Sequence, residues 1–210
     1  MIRLLMAEDH AIVRGGLKQV FALTPDIKVV SEAANGAEVL HHVRHGKFDL
    51  LMLDMTMPGV NGADLIGRVK AIRQNLPILI LSMHNDSHVV SRAFKAGASG
   101  YITKDSEPEK LLQAIRKVAG GQKYIDPVLA EQMAFDVAFP EQRLPHASLS
   151  NREFEVLCLL AMGRGINEIA KQLVISNKTA STHKMHLMRK MGFTSLAAIV
   201  KYAIQHELLE

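Results

Sequence analysis

The chain has 210 residues, 48% of them hydrophobic and 22% charged, an ordinary composition for a soluble globular protein of one domain or two small ones. A formal charge of +4 does not by itself indicate nucleic acid, and one cysteine, Cys158, excludes an internal disulfide and fits a reducing compartment. No apolar run approaches the ~18 residues of a membrane span. In chain order, residues 2–7 form a first short apolar run that stops at Glu8-Asp9. Acids arriving so early do not fit a signal peptide, so the expected location is cytoplasmic. Further short apolar runs follow at 28–33, 50–53, 78–81 and around 101–102. Helix-period segments lie between them at 11–23, 37–45, 63–73, 87–96 and 108–118. Thr24-Pro25-Asp26, Asn35-Gly36, Pro58-Gly59, Gly97 and Gly120-Gly121 punctuate the alternation. Five strands alternating with five helices predict an α/β domain over residues 1–125, a five-stranded parallel doubly wound sheet covered on both faces. In the flavodoxin-like order 2-1-3-4-5, strands 1 and 3 are neighbours, and Asp9 and Asp54 share one crevice at the carboxyl edge.

Residues 126–147 break the pattern. A helix is expected over 128–138, after which Pro140 and Pro145 interrupt any periodicity, and the segment reads as an interdomain linker. Residues 148–210 are all helical in pattern. Ser150 and Glu153 form a capping box, and Leu157, Leu160 and Ala161 supply the apolar face of the helix that follows. A short helix over 167–173, a tight turn at Val174-Ile175-Ser176, a longer helix over 178–191 and a last one over 195–206 complete a small four-helix domain. Two helices joined by a tight turn, the second one basic, read as a DNA-binding helix-turn-helix. That second helix carries Lys178, Lys184, Arg189 and Lys190 and no acid, which suits the phosphates of double-stranded DNA.

The carboxyl ends of parallel strands gather at one edge. Glu8, Asp9 and Asp54 would repel one another there unless a cation offsets their charge, and a hard divalent ion with oxygen ligands, Mg²⁺, suits them. Ser82 ends strand 4 and Lys104 follows strand 5, so both are expected at the same edge. A carboxylate, a bound cation, a hydroxyl and an ammonium make a site for a phosphoryl group. Asp54 can attack phosphorus, Lys104 can pair with phosphoryl oxygens, and Ser82 can donate a hydrogen bond to one.

Glu8-Asp9, Asp54 followed by Met57-Pro58-Gly59, Leu81-Ser82 and Gly100-Tyr101-Ile102-Thr103-Lys104 together resemble a two-component receiver domain. The resemblance implies that Asp54 accepts a phosphoryl group from a sensor histidine kinase. It also implies that Glu8, Asp9, Asp54 and the Thr56 carbonyl surround Mg²⁺. Ser82 and Tyr101 match the switch pair of such domains, in which the hydroxyl moves toward the phosphoryl group and the ring turns inward. Leu149-Ser150-Asn151-Arg152-Glu153-Phe154-Glu155-Val156-Leu157, Glu168-Ile169-Ala170, Ile175-Ser176, Lys178-Thr179, His183 and Arg189-Lys190-Met191 look like the LuxR-type DNA-binding domain. Together the two resemblances place the chain near the NarL/FixJ group of response regulators.

By that resemblance Lys178 and Thr179 belong to the DNA-binding set. Ser181, Thr182 and Met185 face the major groove, and His183 and Lys190 meet the DNA backbone. The chain departs from the group where Ala180 replaces a usual valine and where the reading positions are less basic. Ser and Thr hydroxyls contact several bases, so weak intrinsic specificity is expected, with affinity recovered by a homodimer formed on phosphorylation. The expected function is a sequence-specific transcription regulator controlled at Asp54. Enzymatic activity is expected to go no further than self-phosphorylation from small phosphodonors and self-dephosphorylation.

Two other readings stay open. One is a doubly wound phosphohydrolase with an aspartyl-phosphate intermediate, although Thr56 stands where such enzymes place a second aspartate. The other is a regulator locked in one state. His41, His42 and His45, and likewise His183 and His186, have helical spacing for two metal ligands but lack further ligands nearby in sequence, and read as surface histidines.

Overall fold

In the computed structural model the described residues are 1–57, 60, 62–83, 87–138, 144–206 and 208–209, so the expected Pro58-Gly59 breaker and part of the linker lie outside them. The apolar runs become strands β1 (Ile2–Ala7), β2 (Ile27–Ala33), β3 (Leu50–Asp54), β4 (Ile78–Ser82) and β5 (Gly100–Thr103). Between them run helices α1 (Ala11–Ala22), α2 (Gly36–His45), α3 (Gly62–Ile72), α4 (Ser87–Ala96) and α5 (Pro108–Ala119). A further strand, β6 (Tyr124–Ile125), pairs in parallel with β5. The sheet therefore has six strands in the order β2-β1-β3-β4-β5-β6, which corrects the expected five while keeping the predicted order of the first five.

Both faces of the sheet are covered. In α5, Leu111, Ala114, Ile115 and Val118 recur at helical spacing, and all are buried with Leu4, Met6, Leu50, Met52, Leu79, Leu81 and Ile102. The alternate strand residues Leu5, Leu51, Leu53, Ile78 and Ile80 are buried on the other face, as the two-residue pleat requires. Burying each such side chain contributes about 1.5–3 kcal/mol. At Gly100 the packing leaves no room for a side chain. An added Cβ would lie 2.7 Å from Val118 and 2.9 Å from Leu79.

The chain divides into two compact units, Met1–Ala134 and Phe135–Glu210, with helix α6 (Pro127–Ala138) running through the division. The second unit contains a 3₁₀ turn (Pro145–Ser148) and helices α7 (Asn151–Ala161), α8 (Ile166–Leu173), α9 (Asn177–Met191) and α10 (Leu196–Gln205). Helix α7 packs against α8, α9 and α10, and α8 packs against α9. Leu157, Leu160, Ile169, Leu173, Leu187 and Ile199 are buried in this unit. Capping sets the helix starts. Ser150 and Glu153 form the predicted capping box on α7, and the side chains of Ser176 and Ser195 accept N–H bonds at the starts of α9 and α10. Helix α8 ends on Val174, which adopts φ 56° and ψ 48°, a left-handed conformation that costs a β-branched residue energy.

Candidate functional site

The parallel register brings the predicted acids together. Ala7 lies opposite Leu53, Asp54 opposite Leu81 and Ser82 opposite Thr103, so the next residues along β1, β3, β4 and β5 converge at one edge. Glu8, Asp54 and Ser82 are fully buried there, and so is Tyr101. The Lys104 N–H donates to the Ser82 carbonyl at 2.8 Å, which fixes where its side chain starts. Its ammonium then reaches Glu8 Oε2 at 3.0 Å and Asp54 Oδ2 at 3.1 Å. Burial disfavours the Lys104 charge, but Asp54 and Glu8 outweigh that effect and hold its pKa above the ordinary lysine value.

Thr56 adds a contact that its expected carbonyl role did not include. Its hydroxyl lies 3.0 and 3.2 Å from the two oxygens of Asp54, and its N–H donates to Oδ1 at 3.2 Å. His10 went unnoticed in the sequence. Its Nδ1 lies 3.1 Å from both Glu8 Oε1 and Asp9 Oδ1. Arg14 went unnoticed too, and donates to the Glu8 carbonyl at 2.7 Å. Ligand atoms of Glu8, Asp9, His10 and Asp54 all lie within 4.8 Å of one another. Glu8 Oε2 and Asp9 Oδ1 are buried yet accept no well-aligned hydrogen bond, although Lys104 and His10 stand at ion-pair distance. Oxygens left in this way, in a set dominated by carboxylates, fit a hard divalent cation.

The second unit presents the predicted DNA residues on one helix. Lys178, Thr179, Ser181, Thr182 and Met185 of α9 are exposed, and Ala180 and Leu187 face the core. The Thr182 hydroxyl donates to the Lys178 carbonyl at 2.9 Å. His183 is half-buried. Burial lowers its pKa, Glu153 works against that shift, and Arg152 and His186 add to it. Lys190 is exposed, but its ammonium donates to Glu153 Oε2 at 2.6 Å. Burial pushes the Glu153 carboxyl up, and hydrogen bonds from Lys190 and Ser150 outweigh it and hold the pKa below the usual glutamate value. No helix among the described residues is long and apolar enough to cross a membrane.

Residues 4–116 match the response regulator receiver domain, and residues 147–203 match the bacterial regulatory proteins of the luxR family. The response regulator UvrY of Escherichia coli is 32% identical over 209 residues, covering 99% of this chain and 96% of that protein. The oxygen regulatory protein NreC of Staphylococcus aureus is 37% identical over 216 residues, covering all of both chains. Among solved structures, RcsB of Salmonella enterica serovar Typhimurium, bound to a promoter in the presence of the phosphomimetic BeF3-, is 27% identical with a TM-score of 0.76. That match covers 96% of this chain and 97% of the other. A receiver sheet with its acids and lysine at one edge, followed by a four-helix unit with a basic third helix, agrees with both family matches. The chain belongs to the NarL/FixJ group of two-component response regulators, with a receiver domain followed by a LuxR-type helix-turn-helix domain.

Proposed function

We propose that Asp54 is the phosphoacceptor, that a sensor histidine kinase is the donor, and that the modification controls sequence-specific binding of double-stranded DNA. In this reading residues 1–125 receive the signal, 126–147 link, and 148–210 bind DNA. The observation that carries it is the half-buried Lys104, whose ammonium spans the buried Glu8 and Asp54 at the carboxyl edge of the sheet. That arrangement sets a cation beside a buried carboxylate that can act as a nucleophile, where the incoming group would arrive.

An Asp54 oxygen attacks phosphorus, the P–N bond of the kinase phosphohistidine breaks, and the departing imidazole takes up a proton. Lys104 then pairs with a phosphoryl oxygen while keeping its hold on Glu8, and the Ser82 hydroxyl donates to another. Glu8, Asp9, Asp54 and the Thr56 carbonyl would hold Mg²⁺, which supplies charge compensation between the acids and the phosphoryl group. Ser82 and Tyr101 carry the change to the receiver surface. The population shifts toward a homodimer suited to paired half-sites.

Lys178, Thr179, Ser181, Thr182, His183 and Met185 form the DNA-contacting set. Lys190 differs from them because Glu153 already binds its ammonium. The RcsB neighbour, bound to a promoter with a phosphomimetic, supports the coupling of the two events. A cytoplasmic location follows from a DNA partner. Self-phosphorylation from small phosphodonors and self-dephosphorylation are the only chemistry this reading asks of the chain. The test is a DNA selection with and without a small-molecule phosphodonor and Mg²⁺, repeated with Asp54→Ala. Donor-dependent enrichment in the wild type, absent in the variant, is expected. Equal activation of the variant would refute the reading.

A further inference from the structure

Resemblance puts Lys190 on the DNA backbone, but in this structure the side chain is committed inside its own domain. Its Nζ donates to Glu153 Oε2 at 2.6 Å and lies 3.5 Å from the Ser148 carbonyl. The same Oε2 accepts the Ser150 N–H at 2.7 Å, and Glu153 is only 4% exposed. His186, one turn earlier on α9, has its Nδ1 3.8 Å from Glu153 Oε1. We infer that Lys190 is a positioning residue: Glu153 holds it so that it fixes the last turn of the recognition helix to the first turn of α7, and it neutralises no phosphate. This inference rests on the DNA-binding reading of α9.

Two physical points favour it. A carboxylate buried to this extent needs its cation, so a Lys190 that swung out to a phosphate would leave Glu153 buried and unpaired. An ammonium already neutralised by a carboxylate also brings no uncompensated charge to DNA, and counterion release is what makes phosphate contacts favourable. Lys178 is different. It stands exposed at the opposite end of α9, where its charge is available. The Glu153–Lys190 link joins residues 37 apart and clamps the end of α9 remote from its cap at Ser176.

The salt dependence of binding separates the two roles. Full-length chain is titrated onto a random-sequence duplex at several salt concentrations, and the slope of log affinity against log salt is compared. Lys178→Ala should flatten the slope by about 0.9, the loss of one phosphate contact. Lys190→Ala should leave it at the wild-type value. Glu153→Gln keeps an acceptor for the Ser150 N–H but frees the ammonium, and should steepen the slope by up to about 0.9. On a duplex recovered by selection, Lys190→Ala should bind severalfold more weakly, and Lys190→Arg, which can still pair with Glu153, should restore most of the loss. Flattening by about 0.9 in Lys190→Ala would overturn the proposal, and so would wild-type affinity of that variant for the selected duplex. Should Lys190→Ala fail to fold, Glu153→Gln decides: an unchanged slope overturns the proposal and a steeper one supports it. A wild-type chain that binds no duplex at all would instead remove the DNA-binding reading itself.

Discussion

Lys104→Met removes the ammonium that the structure places among the acids of the receiver edge. At an effective dielectric near 20, each attraction of Lys104 to Glu8 and Asp54, at 3.0 and 3.1 Å, amounts to about 5 kcal/mol before desolvation is subtracted. Desolvation of the buried groups cancels most of that gain. Removing the cation relieves only its own share of that cost, because Glu8 and Asp54 stay buried. The expected net loss of receiver stability is about 3–5 kcal/mol without divalent ions. Hydrogen exchange of the β3 amides under increasing urea reads the receiver separately from the second unit. Added Mg²⁺ should narrow the gap, since the variant has lost a competing cation. Free ion at about 100 times its Kd contributes ~2.7 kcal/mol, and more in whichever chain binds it more tightly. The neighbouring carboxylates raise the Lys104 pKa, so its contribution is complete below the unfolded lysine value and is lost as pH rises through the folded one. The gap should therefore stay flat across neutral pH. A loss below about 1 kcal/mol, or equal stabilisation of both chains by Mg²⁺, would refute a charge-compensating role for Lys104.

Glu153 has its folded pKa lowered, so its contribution is present above the unfolded value near about 4.3 and is lost as pH falls through the folded value. The melting temperature of the second unit should drop across that acid window by more in the wild type than in Glu153→Gln, and parallel curves would exclude the link. Val174→Gly relieves a left-handed β-branched residue and should stabilise the same unit by about 1 kcal/mol, visible as a rise in melting temperature of roughly 4–8 °C. A lower melting temperature would show that the Val174 side chain, 68% exposed, packs usefully after all.

Periodicity carried most of the fold. Runs such as Leu50–Asp54 and the spacing of Leu111, Ala114, Ile115 and Val118 specify their elements locally, alternation implies a parallel sheet, and the order of β1 to β5 is that of the flavodoxin-like arrangement. Strand β6 was not legible, because Tyr124–Ile125 is too short to show any period after Gly120-Gly121. Motif spacing likewise led to Glu8, Asp54, Ser82 and Lys104, since parallel pairing turns strand ends into neighbours. His10 and Arg14 escaped notice because their contacts depend on the geometry of the turn into α1. Glu153 was readable as a capping residue and Lys190 as a basic one. Their ion pair was not, because it depends on how α7 and α9 pack.

The sixth strand also bears on how copies of this chain can meet. Edge strands are where one protein can template another, and length and charge decide whether they do. One edge here is β6, only two residues long, which gives a foreign strand almost nothing to zip onto. The other is β2, where Lys28 and Glu32 are exposed and would have to surrender water to let a neighbour dock. Sheet-to-sheet growth, the route to aggregation, is thus blunted at both ends.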